Sequence, residues 1–330
     1  MTNQFVWNGA RNQVFDSSYG SQTVLCTDPA SFYKYYTTFT ATAPGDPVVF
    51  EQHTKGNDDI SWTDAKIQVT KNSDVTFDFK NNVKHLSAYD TASPFEVSSA
   101  TLKIANIETI ALGIGFILTN NANFIIKGVA GLFMSYPDGA GLSITDSQAN
   151  LAIDTIMNVN QIISDHGVFD ITVGECLVHS KLRLSKLSIG SIKCNEFYLG
   201  GQGGSEYSIS ENSSLTIQTG SVKIEGTFIT LGEGNSRVSI KRIPGQDPVD
   251  LTSLATSKKG FNFVGTKDTN TSELALDFSH NGESGNTAFA RYWLWENDLV
   301  SVNGIPQHDE SILSFDVSSS GMTIKFRTKV

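Results

Sequence analysis

The chain has 330 residues, with 34 acidic against 24 basic side chains and a formal net charge of −10. A surface of that sign excludes generic nucleic-acid binding, which needs a basic face. Hydrophobic residues make up 39% and charged residues 18%, enough apolar sequence to bury a large core in one elongated domain with end caps or in two domains.

The chain opens with neither a basic segment nor an apolar run, so no cleavable signal peptide is visible. Its most apolar stretch, residues 110–118, is too short to span a bilayer, and no membrane insertion is expected. Residues 1–60 carry an aromatic cluster (Phe32, Tyr33, Tyr35, Tyr36, Phe39) and the turn Ala43-Pro44-Gly45-Asp46-Pro47. They read as a non-repeat N-terminal cap or docking segment.

From Ile67 a phrase returns: apolar-x-apolar followed by Ser or Thr, a polar corner, then a second alternating strand. Copies begin at Ile67, Phe95, Phe116, Leu142 and Phe169, loosely at Leu187 and again at Tyr207, in steps of 18 to 28 residues. Two period-2 strands per repeat predict a stacked β-solenoid, because one rung buries too few side chains to stand alone. The expected interior is Val69, Phe77, Val97, Leu102, Leu118, Phe124, Ile144, Leu151, Ile171, Leu177, Ile209 and Leu215. Thr101, Asn123, Asn150 and Ser214 are expected at equivalent places on the second strands. Gly200-Gly201-Gln202-Gly203-Gly204 joins two strands and reads as a corner, not a phosphate loop.

The phrase weakens after Ile217 and breaks at Pro244-Gly245-Gln246-Asp247-Pro248, a turn-forming run taken as a boundary. The predicted organisation is a cap over 1–60, a parallel β-helix over 61–245 and an antiparallel β-rich C-terminal cap or small sandwich over 246–330. In that last part Arg291-Tyr292-Trp293-Leu294-Trp295 alternates like a strand, placing Trp293 and Trp295 on one face as a candidate sugar-stacking platform.

Enzyme signatures are sparse. No GxSxG or HExxH occurs, the six histidines lack metal-ligand spacing, and no metal or cofactor is expected. Cys26, Cys176 and Cys194 form no CxxC and read as buried free thiols. His179 falls on an expected inward position. Outward positions of the first strands are Gln68, Glu96, Ile117, Ser143, Asp170, Ser188 and Ser208; those of the second are Asp78, Lys103, Ile125, Ala152, Val178 and Thr216. No two acids stack in either column, leaving Asp165, His166, Asp170 and Glu175 as catalytic candidates on one crowded rung. Ile117, Ile125, Ala152 and Val178 instead form an outward apolar stripe, expected to be covered by the N-terminal segment or by other subunits of a homotrimer. Lys181, Arg183 and Lys186 cluster as a candidate binding face for phosphate or uronate groups.

The rung phrase, for example Leu142-Ser143-Ile144-Thr145 and Ser214-Leu215-Thr216-Ile217, resembles the right-handed parallel β-helix superfamily over roughly residues 60–240. That superfamily includes pectate-lyase-like enzymes and bacteriophage tailspikes. The resemblance implies an all-β solenoid on a virion surface or outside the cell, attaching to a host surface polysaccharide. The alternatives are a polysaccharide lyase or hydrolase and an exported β-helical adhesin or toxin.

Overall fold

Alternation sets the local structure: along each strand every second side chain is apolar, and the ladder turns those side chains to one side. The computed structural model describes residues 4–6, 13–16, 22–25, 37–42, 48–51, 59–61, 65–88, 95–134, 140–200, 205–225, 227–247, 249–258, 260–277, 287–318 and 321–326. The chain is nearly all β and forms a parallel β-solenoid of about seven turns. It divides into two compact units, Met1–Ile162 with Gly167–Val173, and Ile163–His166 with Gly174–Val330.

In the first unit, Phe39, Ile67, Phe95, Phe116 and Leu142 occupy one register column, and Ala41, Val69, Val97, Leu118 and Ile144 the next. A second ladder stacks Val48, Val75, Leu102, Phe124, Ala149 and Phe169, beside Phe50, Phe77, Ile104, Ile126, Leu151 and Ile171. Phenylalanines touch between rungs, the Phe50 and Phe77 rings stacking at 5.1 Å and Phe95 meeting Phe116 at 5.2 Å, and also across the interior of one rung, where Phe116 meets Phe124 at 4.2 Å. Corners are made by consecutive residues in the left-handed region, such as Lys71-Asn72 and Asn120-Asn121. Asparagine tolerates that conformation better than most residues.

Three expectations change here. The described strands within residues 1–60 join the repeat: Thr37–Thr42 and Val48–Glu51 pair in parallel with Ala65–Val69 and Asp74–Asp78, and Gln4–Val6 pairs in parallel with Gln22–Leu25. The aromatic cluster at 32–36 lies outside the described residues, whereas Phe39 enters the first ladder. Phe169-Asp170-Ile171-Thr172 does not continue the first-strand ladder, since Phe169 pairs with Ala149 on the second. Gln148, not Asn150, is the register partner of Asn123, and Thr101 is its partner on the other side.

The described residues of the second unit form three ladders. Glu175–Ser185 pairs through its first half with Glu196–Leu199, which pairs with Ser221–Ile224. Its second half pairs with Glu206–Ile209, followed by Ile229–Leu231, Phe261–Phe263 and Val300–Val302. The third ladder runs Ile189–Lys193, Ser214–Gln218, Arg237–Lys241 and Glu273–Leu276, all parallel. The parallel ladder therefore continues past residues 244–248, of which the described ones, 244–247, form a turn between rungs. Among the described residues, antiparallel pairing is made by Gly321–Phe326, which joins Glu273–Leu276 and Leu313–Ser318, and by Ile305–Pro306, which joins Val300–Val302.

Arg291–Trp295 belongs to the helix Thr287–Glu296 and not to a strand. Trp293 and Leu294 are buried and Tyr292 is exposed. Adjacent buried positions suit a helix packed on a core and break the two-residue alternation.

Eleven of the twelve expected interior side chains are buried; Leu177 is the exception. On that rung Cys176 and Val178 point inward, so the expected register is one residue out and both side chains change face. Among the described residues, no helix is long and apolar enough to cross a membrane.

Candidate functional site

The register of the second unit builds a face from two outward columns. Glu175 is the register partner of Glu196, Glu196 of Ser221, and Ser221 bridges to Asp250. Beside them run Leu177, Tyr198 and Lys223. These residues line an open groove of about 410 Å³. Ser253, on the short helix Thr252–Ser257, closes one side and donates its hydroxyl hydrogen bond to the Val222 carbonyl.

Electrostatically the groove is acidic. Among the described residues neither Glu175 nor Glu196 has an ion-pair partner, and both are exposed. Lys223 contributes a cation, but its Nζ lies 2.6 Å from Glu225 Oε1 and 5.1 Å from the centroid of the Tyr198 ring. The Tyr198 hydroxyl donates to Glu225 Oε2 at 2.6 Å. Burial, and then the carboxylate that accepts this hydrogen bond, push the Tyr198 phenol up to about 12. Hydrogen bonds from Lys223 and Tyr198 hold the Glu225 carboxyl below its usual range.

Sequence reasoning missed this face because a one-residue slip placed Leu177 inside and left Glu196 and Tyr198 out of every column. Two acids do stack on adjacent rungs, Glu175 and Glu196. The signal was in the sequence: Glu175-Cys176-Leu177-Val178 and Glu196-Phe197-Tyr198-Leu199 align without a gap.

The expected sites are arranged differently. Of the catalytic candidates, Asp165, His166 and Glu175 belong to the second unit and Asp170 to the first. Asp165 Oδ2 accepts from Lys186 Nζ at 2.7 Å. Lys181 lies 3.7 Å from Glu206, and the Arg183 Nε is buried without a hydrogen-bond partner. Two of the three cations of the proposed basic face are thus paired with acids. Trp293 is core, and Trp295 is enclosed by the Phe315 ring at 5.7 Å, the His308 ring at 6.2 Å and the Arg291 guanidinium at 5.0 Å. The two tryptophans form no exposed platform.

The apolar stripe also dissolves. Val178 is fully buried. Ile117 lies between Glu96 and Ser143 on one ladder, and Ile125 between Lys103 and Asn150 on another. Ala152 is exposed next to Thr172. His179 points outward, its ring 6.2 Å from that of Tyr198, and burial lowers its imidazole below the usual value. Cys176 and Cys194 are buried free thiols, as the sequence suggests. Cys26 lies outside the described residues.

Among the described residues, no group of His, Cys, Asp and Glu is placed to hold a metal ion. Comparison with family models, with curated proteins and with solved structures finds no match to this chain.

Proposed function

We propose that this chain is an attachment protein, borne on a virion or otherwise displayed outside the cell, that binds a surface glycan along the groove of its second unit. The observation that carries the reading is the pair of columns Glu175–Glu196–Ser221–Asp250 and Leu177–Tyr198–Lys223, side by side in one concave face. Carboxylates and a serine offer acceptors for sugar hydroxyls, and the Leu177–Tyr198 strip offers an apolar surface to the C–H face of a pyranose ring. The rungs follow one another along the solenoid axis at about 4.8 Å, so an extended chain meets two carboxylates, Glu175 and Glu196, on successive rungs.

The charge selects the glycan class. Glu175, Glu196 and Asp250 face the groove, while Lys223, Lys181 and Lys186 are each paired with an acid. A neutral or amino-bearing glycan fits this face, and a uronate chain meets repulsion. The test is binding of glucosamine, glucose and galacturonate hexamers to the full chain. Glucosamine or glucose hexamer should bind, with Glu196→Gln weakening glucosamine most. Binding of none of the three, or preference for galacturonate, overturns the reading.

A second reading has its own observation. Glu175 and Glu196 share a register position, so their backbones are about 4.8 Å apart. Retaining glycosidases place two carboxyl groups roughly 5–5.5 Å apart, one protonating the leaving oxygen and the other attacking the anomeric carbon, and neighbouring rungs offer Glu175 and Glu196 for those two roles. Release of reducing ends from the same hexamers, abolished by either Glu→Gln change, supports hydrolysis. Binding without release leaves attachment alone.

A further inference from the structure

Tyr198 stands in the middle of the groove's apolar column, and its surroundings fix its ring on several sides. Glu225 accepts its hydroxyl, the Lys223 ammonium lies against the ring, and the His179 ring meets it edge-on. Underneath lies Gly200, whose amide donates to the Val178 carbonyl at 3.0 Å. A Cβ added at Gly200 would fall 2.5 Å from both Cζ and Oη of Tyr198. The backbone of Gly200 is not in the left-handed region, so this glycine provides space and not a special backbone conformation.

From this arrangement we infer that Tyr198 is the specificity-determining wall of the groove, its ring laid over Gly200 and held there by Glu225 and Lys223. The inference rests on the glycan-binding reading. Tyr198 is the residue that meets the saccharide; Gly200 and Glu225 are positioning residues. A methyl group at position 200 collides with the far end of a side chain and not with backbone, so the chain folds and the ring is what moves. Displacement away from the backbone carries it towards the groove that a sugar would enter.

The experiment uses the full chain labelled with [13Cζ]tyrosine, the Tyr198 resonance being identified by its loss in Tyr198→Phe. Gly200→Ala and Glu225→Gln are compared with wild type, and glucosamine and glucose hexamers are the probes. The wild-type phenol should titrate near 12, and each variant should bring it down towards the ordinary 10. Both should weaken hexamer binding roughly tenfold with the melting temperature unchanged. A purely structural tyrosine would not couple its titration to affinity in this way. Unaltered titration in both variants overturns the positioning. Altered titration with unaltered hexamer affinity overturns the wall and leaves the glycan reading standing. If neither hexamer binds the wild type, both readings fall.

Discussion

Glu175 and Glu196 occupy the same position on consecutive rungs, two exposed carboxylates stacked without an ion-pair partner among the described residues. Like charges directly opposite each other on neighbouring strands are destabilising, and a surface selected for stability alone would not place them so. Replacing one of them separates stability from function. Glu196→Gln should raise stability by about 0.5 kcal/mol while weakening glucosamine-hexamer binding. Urea midpoints and titration of the same sample read both quantities; a variant that loses stability would contradict the repulsion.

The register of the strand Glu175–Ser185 is decided by a pair of substitutions. Val178 is fully buried and Leu177 lines the groove. Val178→Asp places an unpaired carboxylate in the core, at a cost of several kcal/mol, and should prevent folding. Leu177→Asp should melt cooperatively close to wild type. The reverse outcome in thermal melts would restore the register read from the sequence.

Leu187 occupies a corner with φ 64° and is 60% exposed. Its amide bonds to the carbonyl of Glu211, in the adjacent corner, where Asn212 holds φ 62°. A leucine in the left-handed region costs about 1–2 kcal/mol, and asparagine adopts that region more readily. Leu187→Asn should therefore raise the urea midpoint, gaining about 1 kcal/mol, with no change in the slope of the transition. An unchanged or lowered midpoint would count against the strained corner.

Alkaline stability should fall in a defined window. Burial raises the Cys194 thiol from 9.0 to about 12, and Tyr198 rises from 10.0 to about 12. Between those values the folded chain keeps protons that the unfolded chain releases, so stability is full below pH 9.0 and declines as the pH climbs towards 12. Cys176, also raised by burial, acts in the same direction. Cys194→Ala should flatten the decline between about pH 9 and about pH 11. Parallel curves for wild type and variant would remove the thiol from this account.

Much of the fold was legible because the solenoid is a local code. Ile67-Gln68-Val69-Thr70 and Leu142-Ser143-Ile144-Thr145 state their alternation within four residues, and stacking only copies it from rung to rung. Where alternation is ambiguous the reading slipped. Cys176-Leu177-Val178 offers three apolar residues in a row, and nothing inside the triplet says which two face inward. The neighbouring rung decides, since Phe197 and Leu199 stack on Cys176 and Val178. Arg291–Trp295 failed for a related reason. Its five residues alternate, but Trp293 and Leu294 are buried side by side within Thr287–Glu296, as a helix packed on a core allows.

The sequence by itself determined the class of architecture and the interior of most rungs. Those properties follow from hydrophobic periodicity over a few residues, and every rung expresses the same period. Only the tertiary structure decided which outward side chains become neighbours. Glu175, Glu196, Ser221 and Asp250 are separated along the chain by loops of unequal length, and the hydrogen-bond register of the ladder, not their spacing, brings them into one column. The same register pairs Lys181 with Glu206 and sets Ile117 and Ile125 on different ladders. It removes two surfaces that the linear order suggested and creates the groove, because in a solenoid the outward face is assembled across rungs, where sequence distance carries no information about contact.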